Sequence, residues 1–376
     1  MVAETDVVVI GGGMAGVTAA HHLVAYREVV VLEREDQLAQ HTTGRSAAVY
    51  LENYGGLLNR ALTIASRPFL DDPGDLAEAP LLEARGALDV VPEESVAEAT
   101  ALAAEGTRLV PSIRLVDQAE ALALHPAVRP EHVAAAIWEP EASAMDVMAL
   151  HQAFVRGAHA GGAAFHRGAE AVQLEPTDDG WLVTTPNATW HAAAVVNAAG
   201  AWGDVVAERA GVRPVGLVPM RRTAFTCAAP PEAAGWPLLH ANYAPGPCYL
   251  KPETGDQLLG SLADETPSDP VDARPEELDI AIAIDRLTTL TNLEIRHVRT
   301  SWAGLRTFAP DRDPVIGWDD ELPGFCWMVG QGGTGIQTAV AAGATVAGIV
   351  TGSGVPQEVQ DLGATEAAFS PLRLRT

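Results

Sequence analysis

Three glycines and one acid carry the first chemistry in the chain. Gly11, Gly13 and Gly16 form GxGxxG in "VVVIGGGMAGVTAAHHL", and Glu33 closes the apolar run that follows. Gly11 permits a tight turn, and Gly13 lets a pyrophosphate approach the backbone at Met14 and Ala15. Gly16 lets the helix pack closely on the strand. The helix N-terminus stabilises phosphate charge, while Glu33, with Arg34 beside it, can accept from a ribose hydroxyl. The glycines and acid alone serve NAD and FAD equally. Soon after, "QHTTGRSAAVY" supplies Thr42, Thr43, Ser46 and the backbone of Ala47 and Ala48. These hydroxyls and N–H groups suit the pyrophosphate and ribityl chain of the longer cofactor, FAD. Arg45 reads as a structural anchor or a phosphate neighbour.

A second constellation lies at the far end. Arg306 sits in "WAGLRTF", an apolar, small-residue setting where an unpaired guanidinium is costly, so it must have a partner. An internal acid, held bidentately by the planar fork, would serve. "GQGGTGIQT" is another glycine-rich turn, carrying Gly332, Gly333, Gly335, Ile336 and Gln337 into a helix. By itself it is an ordinary helix entry. Beside a dinucleotide fingerprint it becomes a cofactor contact whose helix dipole favours negative charge. "AAVVNAAGAW" places Ala199, Gly200 and Trp202 where a buried strand gives way to small residues that let backbone pass a flat group.

The elements that must position these residues follow from periodicity. Residues 7–10 and 29–32 are continuous apolar runs typical of parallel strands buried on both faces, and 14–26 has helical spacing. "GAEAVQLEP", "GWLVTTP" and "ATWHAAAVVNAAG" read as successive antiparallel strands. Residues 334–352 read as a buried helix, too polar for a membrane span. "LAEAPLLEARGALDVVPEE" and the alanine-rich pattern after it predict a strand pair and a cap helix. The chain of 376 residues accommodates two domains. The expected fold is α/β: a Rossmann-like FAD-binding domain with a mixed α+β substrate-binding domain built around an antiparallel sheet. The first takes 1–50, 142–217 and 298–376, and the second takes 51–141 and 218–297.

Composition narrows the classes. A net charge of −25 argues against nucleic acid and anionic membrane as partners. Lys251 is the sole lysine, so pyridoxal-phosphate chemistry has a single candidate. Cys227, Cys248 and Cys326 form no CxxC pair, and the histidines show no ligand spacing, so no metal is expected. The N-terminus has acids where a signal peptide needs bases, and a reducing cytoplasm fits.

"HTTGRSAA" after such a turn resembles the D-amino-acid oxidase superfamily of flavoproteins, as do "VVNAAGAWGD", "PMRRTAF", "CYLKPETG", "SWAGLRTFAPDRDPVIG" and "GQGGTGIQT" in order. Within it the chain looks most like bacterial D-amino-acid dehydrogenases of the D-arginine type and the glycine and sarcosine oxidases. The resemblance implies an adenine contact from the backbone of Val172. It also implies a substrate carboxylate held by Arg306 and Tyr249, a further basic contact at Arg222, and an aromatic lid at Tyr54. The implied reaction oxidises the C–N bond of an amino acid by hydride transfer to flavin N5. The imine then hydrolyses to a 2-oxo acid plus amine or ammonia, and oxygen or another acceptor removes the electrons. Relatives that oxidise basic amino acids place a carboxylate where this chain has Ala87, and Val49 and Leu51 replace polar positions. An apolar D-amino acid or an N-substituted glycine is therefore expected. "RTFAPDRD" lacks the cysteine that tethers flavin in sarcosine oxidases, so the FAD is expected to be noncovalent. The competing readings are a 2-hydroxyacid FAD oxidoreductase and an NAD-binding module without flavin.

Overall fold

A computed structural model describes residues 2–77 and 79–375. Glu78, inside the stretch read as a strand pair, lies outside the described residues.

The first sheet is built on parallel strands. Val2–Ile10 lies between Val29–Leu32 and Thr189–Asn197, with Ala164–His166 on one side and Phe325–Val329 on the other. Val7, Val8 and Val9 are buried, as a strand covered on both faces requires. Gln173–Pro176 and Trp181–Thr184 continue the sheet antiparallel, as their alternation predicted. Helix Met14–Leu23 packs on one face with Ala339–Thr351, the alanine-rich helix foreseen as buried. The close packing depends on Gly16, whose added Cβ would lie 1.8 Å from the Gly11 carbonyl oxygen.

The second sheet has ten strands, and Val218–Ala228 and Val298–Phe308 form its longest antiparallel pair. One face is apolar. Leu88, Val90, Phe225, Cys248 and Leu250 pack there against Leu287 and Leu290 of helix Glu277–Leu290. The alternation of strand side chains sends Arg222, Ala224, Tyr249, His240, Asp89 and Glu139 to the other face. Lys251 shares that face, buried and paired with Glu253.

Three segments differ from expectation. Val298–Phe308 belongs to the second sheet because it pairs along Val218–Ala228, so a division at 298 would cut a ladder. Helix Leu57–Asp71, assigned to the substrate side, packs Leu58, Ala61 and Leu62 on the core of the first sheet. Leu82–Ala84 and Ala87–Val91 are strands, yet they do not pair: the first joins Ser143–Met145, the second Ala135–Glu139 and Leu238–Ala241. Gly86, at φ +75°, turns the chain from a small three-stranded sheet, which Leu82–Ala84 forms with Ser143–Met145 and Val49–Tyr50, into the second sheet. The helix after them, Val96–Gly106, is present.

Candidate active site

The two sheets meet at a trough that is partly open to solvent. Its floor is the first glycine turn: Gly11, Gly13, Met14 and Ala15 line it, and a Cβ at Gly13 would meet only the Thr43 hydroxyl, at 3.3 Å. Gly16 lies behind this surface, consistent with its packing role. Glu33 and Arg34 line the trough at the end of the second strand. The Glu33 carboxylate already accepts from the N–H of Gly12 at 2.8 Å and of Glu35 at 2.9 Å, which shapes the turn. Each oxygen keeps a second lone pair for a ribose hydroxyl.

The threonine-rich segment forms one wall. Thr42, Thr43, Arg45, Ser46 and Ala47 all line it. The Thr43 hydroxyl accepts from the Met14 N–H at 3.0 Å, capping the first helix, and Thr42 donates to the Leu305 carbonyl at 2.7 Å. Arg45 donates to the carbonyls of Ala273 and Ala303 and pairs with Asp272, so it is a structural anchor. Ala48 is set back, its N–H donating to the Ser46 hydroxyl.

The opposite wall comes from Ala199, Gly200 and Trp202, with the Arg34 guanidinium over the Trp202 ring at 4.9 Å and the His41 ring tilted against it at 4.8 Å. Val172 is not part of it. Its N–H donates to the Thr184 carbonyl at 2.9 Å and its side chain is exposed, while Ala169, Glu170 and Ala171 line the trough instead. At the far end stand Gly332, Gly333, Gly335 and Ile336. The regular helix starts only at Ala339, so an irregular turn, not the helix tip itself, faces the trough. Gln337 points away. Its two amide hydrogens go to the Leu51 C=O and Thr63, and its Oε1 accepts from the Leu51 N–H.

Arg306, Arg222 and Tyr249 converge on the trough from the second sheet. Among the described residues no carboxylate lies within ion-pairing reach of Arg306; its hydrogen bond goes to the Tyr54 hydroxyl at 3.4 Å. Arg222 donates to the Asp264 carbonyl at 2.7 Å and lies 3.4 Å from Glu265, which Arg312 also holds at 2.9 Å. Burial, then the positive charge of Arg306, lowers the Arg222 pKa. Among the described residues the Tyr249 hydroxyl has no partner and is buried, as is the Gln331 side-chain amide nitrogen. Burial, and then Arg222 and Arg306, push His240 down to about 4, so its imidazole is neutral near neutral pH. The trough therefore ends in uncompensated positive charge with an orphaned hydroxyl beside it. Tyr249 packs in an apolar cluster with Ala87, Ala224 and Leu259, with Ala47, Val49 and Leu51 against it; Ala47, Ala224 and Tyr249 of this cluster line the trough.

The FAD-dependent oxidoreductase family, DAO, matches residues 6–349 of the sequence. The chain belongs to this family. Glycine oxidase of Geobacillus kaustophilus (strain HTA426) is 27% identical over 240 residues, 63% of this chain and 62% of that enzyme. The aligned stretch is thus somewhat under two thirds of that relative's length. Among solved structures, L-proline dehydrogenase from P. horikoshii superposes with TM-score 0.87 at 22% identity, covering 100% of this chain and 99% of that one. Glycine oxidase from Geobacillus kaustophilus superposes with TM-score 0.84 at 21% identity, covering 98% of each. At such identities these likenesses speak for the fold.

FAD is the cofactor of this family, and the DAO trough here fits it: a glycine floor without side chains, an acid, a hydroxyl wall and an orphaned Gln331 amide. Gln331, Leu305, Thr307 and Ala169 line the trough without having been singled out from sequence. The signal for Leu305 and Thr307 was available, since they flank Arg306. Nothing local marks Gln331 beyond its place next to the glycine turn. Among the described residues no group of His, Cys, Asp or Glu could hold a metal, and no helix is long and apolar enough to cross a membrane.

Proposed function

We propose that the chain oxidises the C–N bond of a carboxylate-bearing amine, an apolar D-amino acid or an N-substituted glycine, in the manner of glycine oxidase. The observation that carries this is the pair formed by Arg306, with no acid to neutralise it, and the partnerless hydroxyl of Tyr249. A carboxylate satisfies both at once: two parallel N–H···O bonds from the guanidinium and one from the phenol. Arg222 adds positive charge on the neighbouring strand.

Gly11, Gly13, Met14, Ala15, Glu33, Thr42, Thr43 and Ser46 would hold the FAD on one side, and Ala199, Trp202 and the turn at Gly332 to Ile336 on the other. Bound noncovalently, FAD supplies a two-electron acceptor for amine oxidation. The chain's own contribution is positioning. Arg306 and Tyr249 fix the carboxylate, which restricts the Cα–H to one direction and supplies much of the rate. The apolar side chains of Ala87, Val49 and Leu51, clustered beside Tyr249, would receive the substituent. They would also keep bulk water away from the carbon being oxidised. The product imine hydrolyses to a 2-oxo acid and ammonia or an amine, and no protein base is required.

The test is an anaerobic panel of glycine, sarcosine, D-alanine, D-leucine, L-proline, D-arginine and D-lactate, with bleaching of the bound flavin as readout. Bleaching by sarcosine or the apolar D-amino acids, lost in Arg306→Ala, supports the reading. Bleaching by D-lactate alone points to hydroxyacid chemistry, and a colourless protein that binds NAD overturns the reading altogether.

A further inference from the structure

We propose that Glu139 and Gln337 are positioning residues: together they hold the 51–56 loop in the one shape that keeps Tyr54 over Arg306, and so over the carboxylate of a bound substrate. The inference rests on the reading of Arg306 as the carboxylate site and assigns a purpose to two buried polar side chains that this reading does not use.

Residues 51–56 join strand Val49–Tyr50 to helix Leu57–Asp71 without regular structure of their own. Such a segment loses about 1–2 kcal/mol of backbone freedom per residue when fixed, so something outside it must define its shape. The hydrogen bonds show what does. Gln337 grips Leu51 at both ends, its Oε1 accepting from the Leu51 N–H at 3.1 Å and its Nε2 donating to the Leu51 carbonyl at 3.0 Å. The other amide hydrogen goes to Thr63 at 3.0 Å, which leaves Gln337 no donor for a cofactor. From the opposite side, Glu139 Oε1 accepts from the N–H of Glu52 at 2.7 Å and of Asn53 at 3.3 Å. The Tyr54 N–H then closes on the Leu51 carbonyl at 3.4 Å. Four successive N–H groups are thereby satisfied, three of them by two side chains that are each more than nine-tenths buried.

Arg306 does not place Tyr54. Its hydrogen bond to the phenol is 3.4 Å long, at the weak end of the range. The tyrosine stands over Arg306 because the loop carries it there. The two anchors also come from the two halves of the site. Glu139 ends strand Ala135–Glu139 opposite Ala87, on the substrate face of the second sheet. Gln337 follows Gly335 and Ile336, which line the cofactor trough. The turn facing the cofactor and the cover facing the substrate are held by one set of bonds.

A double-mutant cycle on the flavin-loaded enzyme tests this. Anthranilate, an aromatic carboxylate, is titrated against the flavin absorbance, and kcat and KM are measured with the amino acid that bleaches the flavin fastest. Glu139→Ala, Gln337→Leu and Tyr54→Ala are each expected to weaken anthranilate binding and raise KM about 10-fold, with kcat changed less than about 3-fold. Glu139→Gln, which keeps the acceptor oxygen, should restore affinity to within about 3-fold of the parent. Adding Glu139→Ala to Tyr54→Ala should cost less than about 2-fold more, because the anchor then has nothing left to hold. Multiplying effects of about 100-fold in the double variant, or unchanged affinity in Glu139→Ala, would overturn the proposal. Should Glu139→Ala fail to retain flavin, Gln337→Leu carries the same cycle with the same criteria. Arg306→Ala separates the two ideas: unchanged anthranilate affinity there sinks the carboxylate reading, whatever the cycle shows.

Discussion

A methyl group on Gly333 would lie 2.8 Å from Nη1 of Arg306 and 3.1 Å from its Cζ. The turn next to the cofactor trough thus presses directly on the guanidinium assigned to the substrate. The crowded atoms are the far end of a flexible side chain, so the added methyl displaces Arg306 and leaves the fold intact. Gly333→Ala should retain flavin and melt like the parent while KM for the amino acid substrate rises about 10-fold, the cost of a spoiled bidentate contact. Steady-state kinetics beside a thermal melt checks this; unchanged KM would mean that Arg306 does not hold the substrate.

Tyr249→Phe should move stability and affinity in opposite directions. A buried hydroxyl without a partner carries an uncompensated desolvation cost of about 1–3 kcal/mol, and phenylalanine removes it. The variant is expected to be as stable as the parent or more so, yet to bind carboxylates about 10-fold more weakly, since a hydrogen bond to a charged group is lost. Denaturant unfolding and anthranilate titration on the same preparation measure both. Loss of stability with full affinity would place the hydroxyl in the scaffold.

Much of this site is legible from local sequence because its physics is local. The first glycine turn, its acid and the strands around them lie within a few dozen residues, and each residue type follows from the backbone shape required. Arg306 is legible too, since a guanidinium in an apolar strand demands a partner. The misreadings share a cause, which is competition from partners remote in sequence. Gln337 follows a glycine turn and reads as a cofactor contact, yet Leu51, 286 residues away, takes its carboxamide. Val172 loses its N–H to Thr184, the neighbouring strand of a hairpin. Helix Leu57–Asp71 has an apolar stripe but no mark of which sheet it covers. Glu139 carried no signal at all, because an acid at a strand end is ordinary until the loop it holds is known.

Gly16→Ala is predicted to abolish flavin retention. The new Cβ would fall 1.8 Å from the Gly11 carbonyl oxygen, backbone against backbone, and neither side can rotate out of the way. The helix must back off the strand, carrying with it the N–H groups proposed to face the pyrophosphate. The ratio of flavin to protein absorbance after purification reads the result, and stability should fall by roughly 1–3 kcal/mol as for other overpacked cores. Full flavin loading in this variant would mean that the phosphates are held elsewhere.

Glu139 makes a prediction in pH. Burial lifts its carboxyl to about 7 from the ordinary 4.5; the N–H groups of Asn53 and Glu52 oppose the shift, the Glu52 charge adds to it, and Arg60 offsets part. Below 4.5 the folded and unfolded chains both hold the proton, and ionisation costs nothing. Between 4.5 and about 7 the unfolded chain releases its proton first, so rising pH favours unfolding; above about 7 the cost is constant, roughly 3 kcal/mol. Glu139→Gln cannot ionise. Its stability relative to the parent should improve as pH rises from about 5 to about 8, by up to the same roughly 3 kcal/mol, in denaturant unfolding of the flavin-loaded protein. The ionised carboxylate nevertheless grips the Glu52 and Asn53 N–H groups more tightly than an amide does. A difference between Glu139→Gln and the parent that stays flat across this pH range would show that the carboxyl ionises normally and that the loop does not depend on its charge.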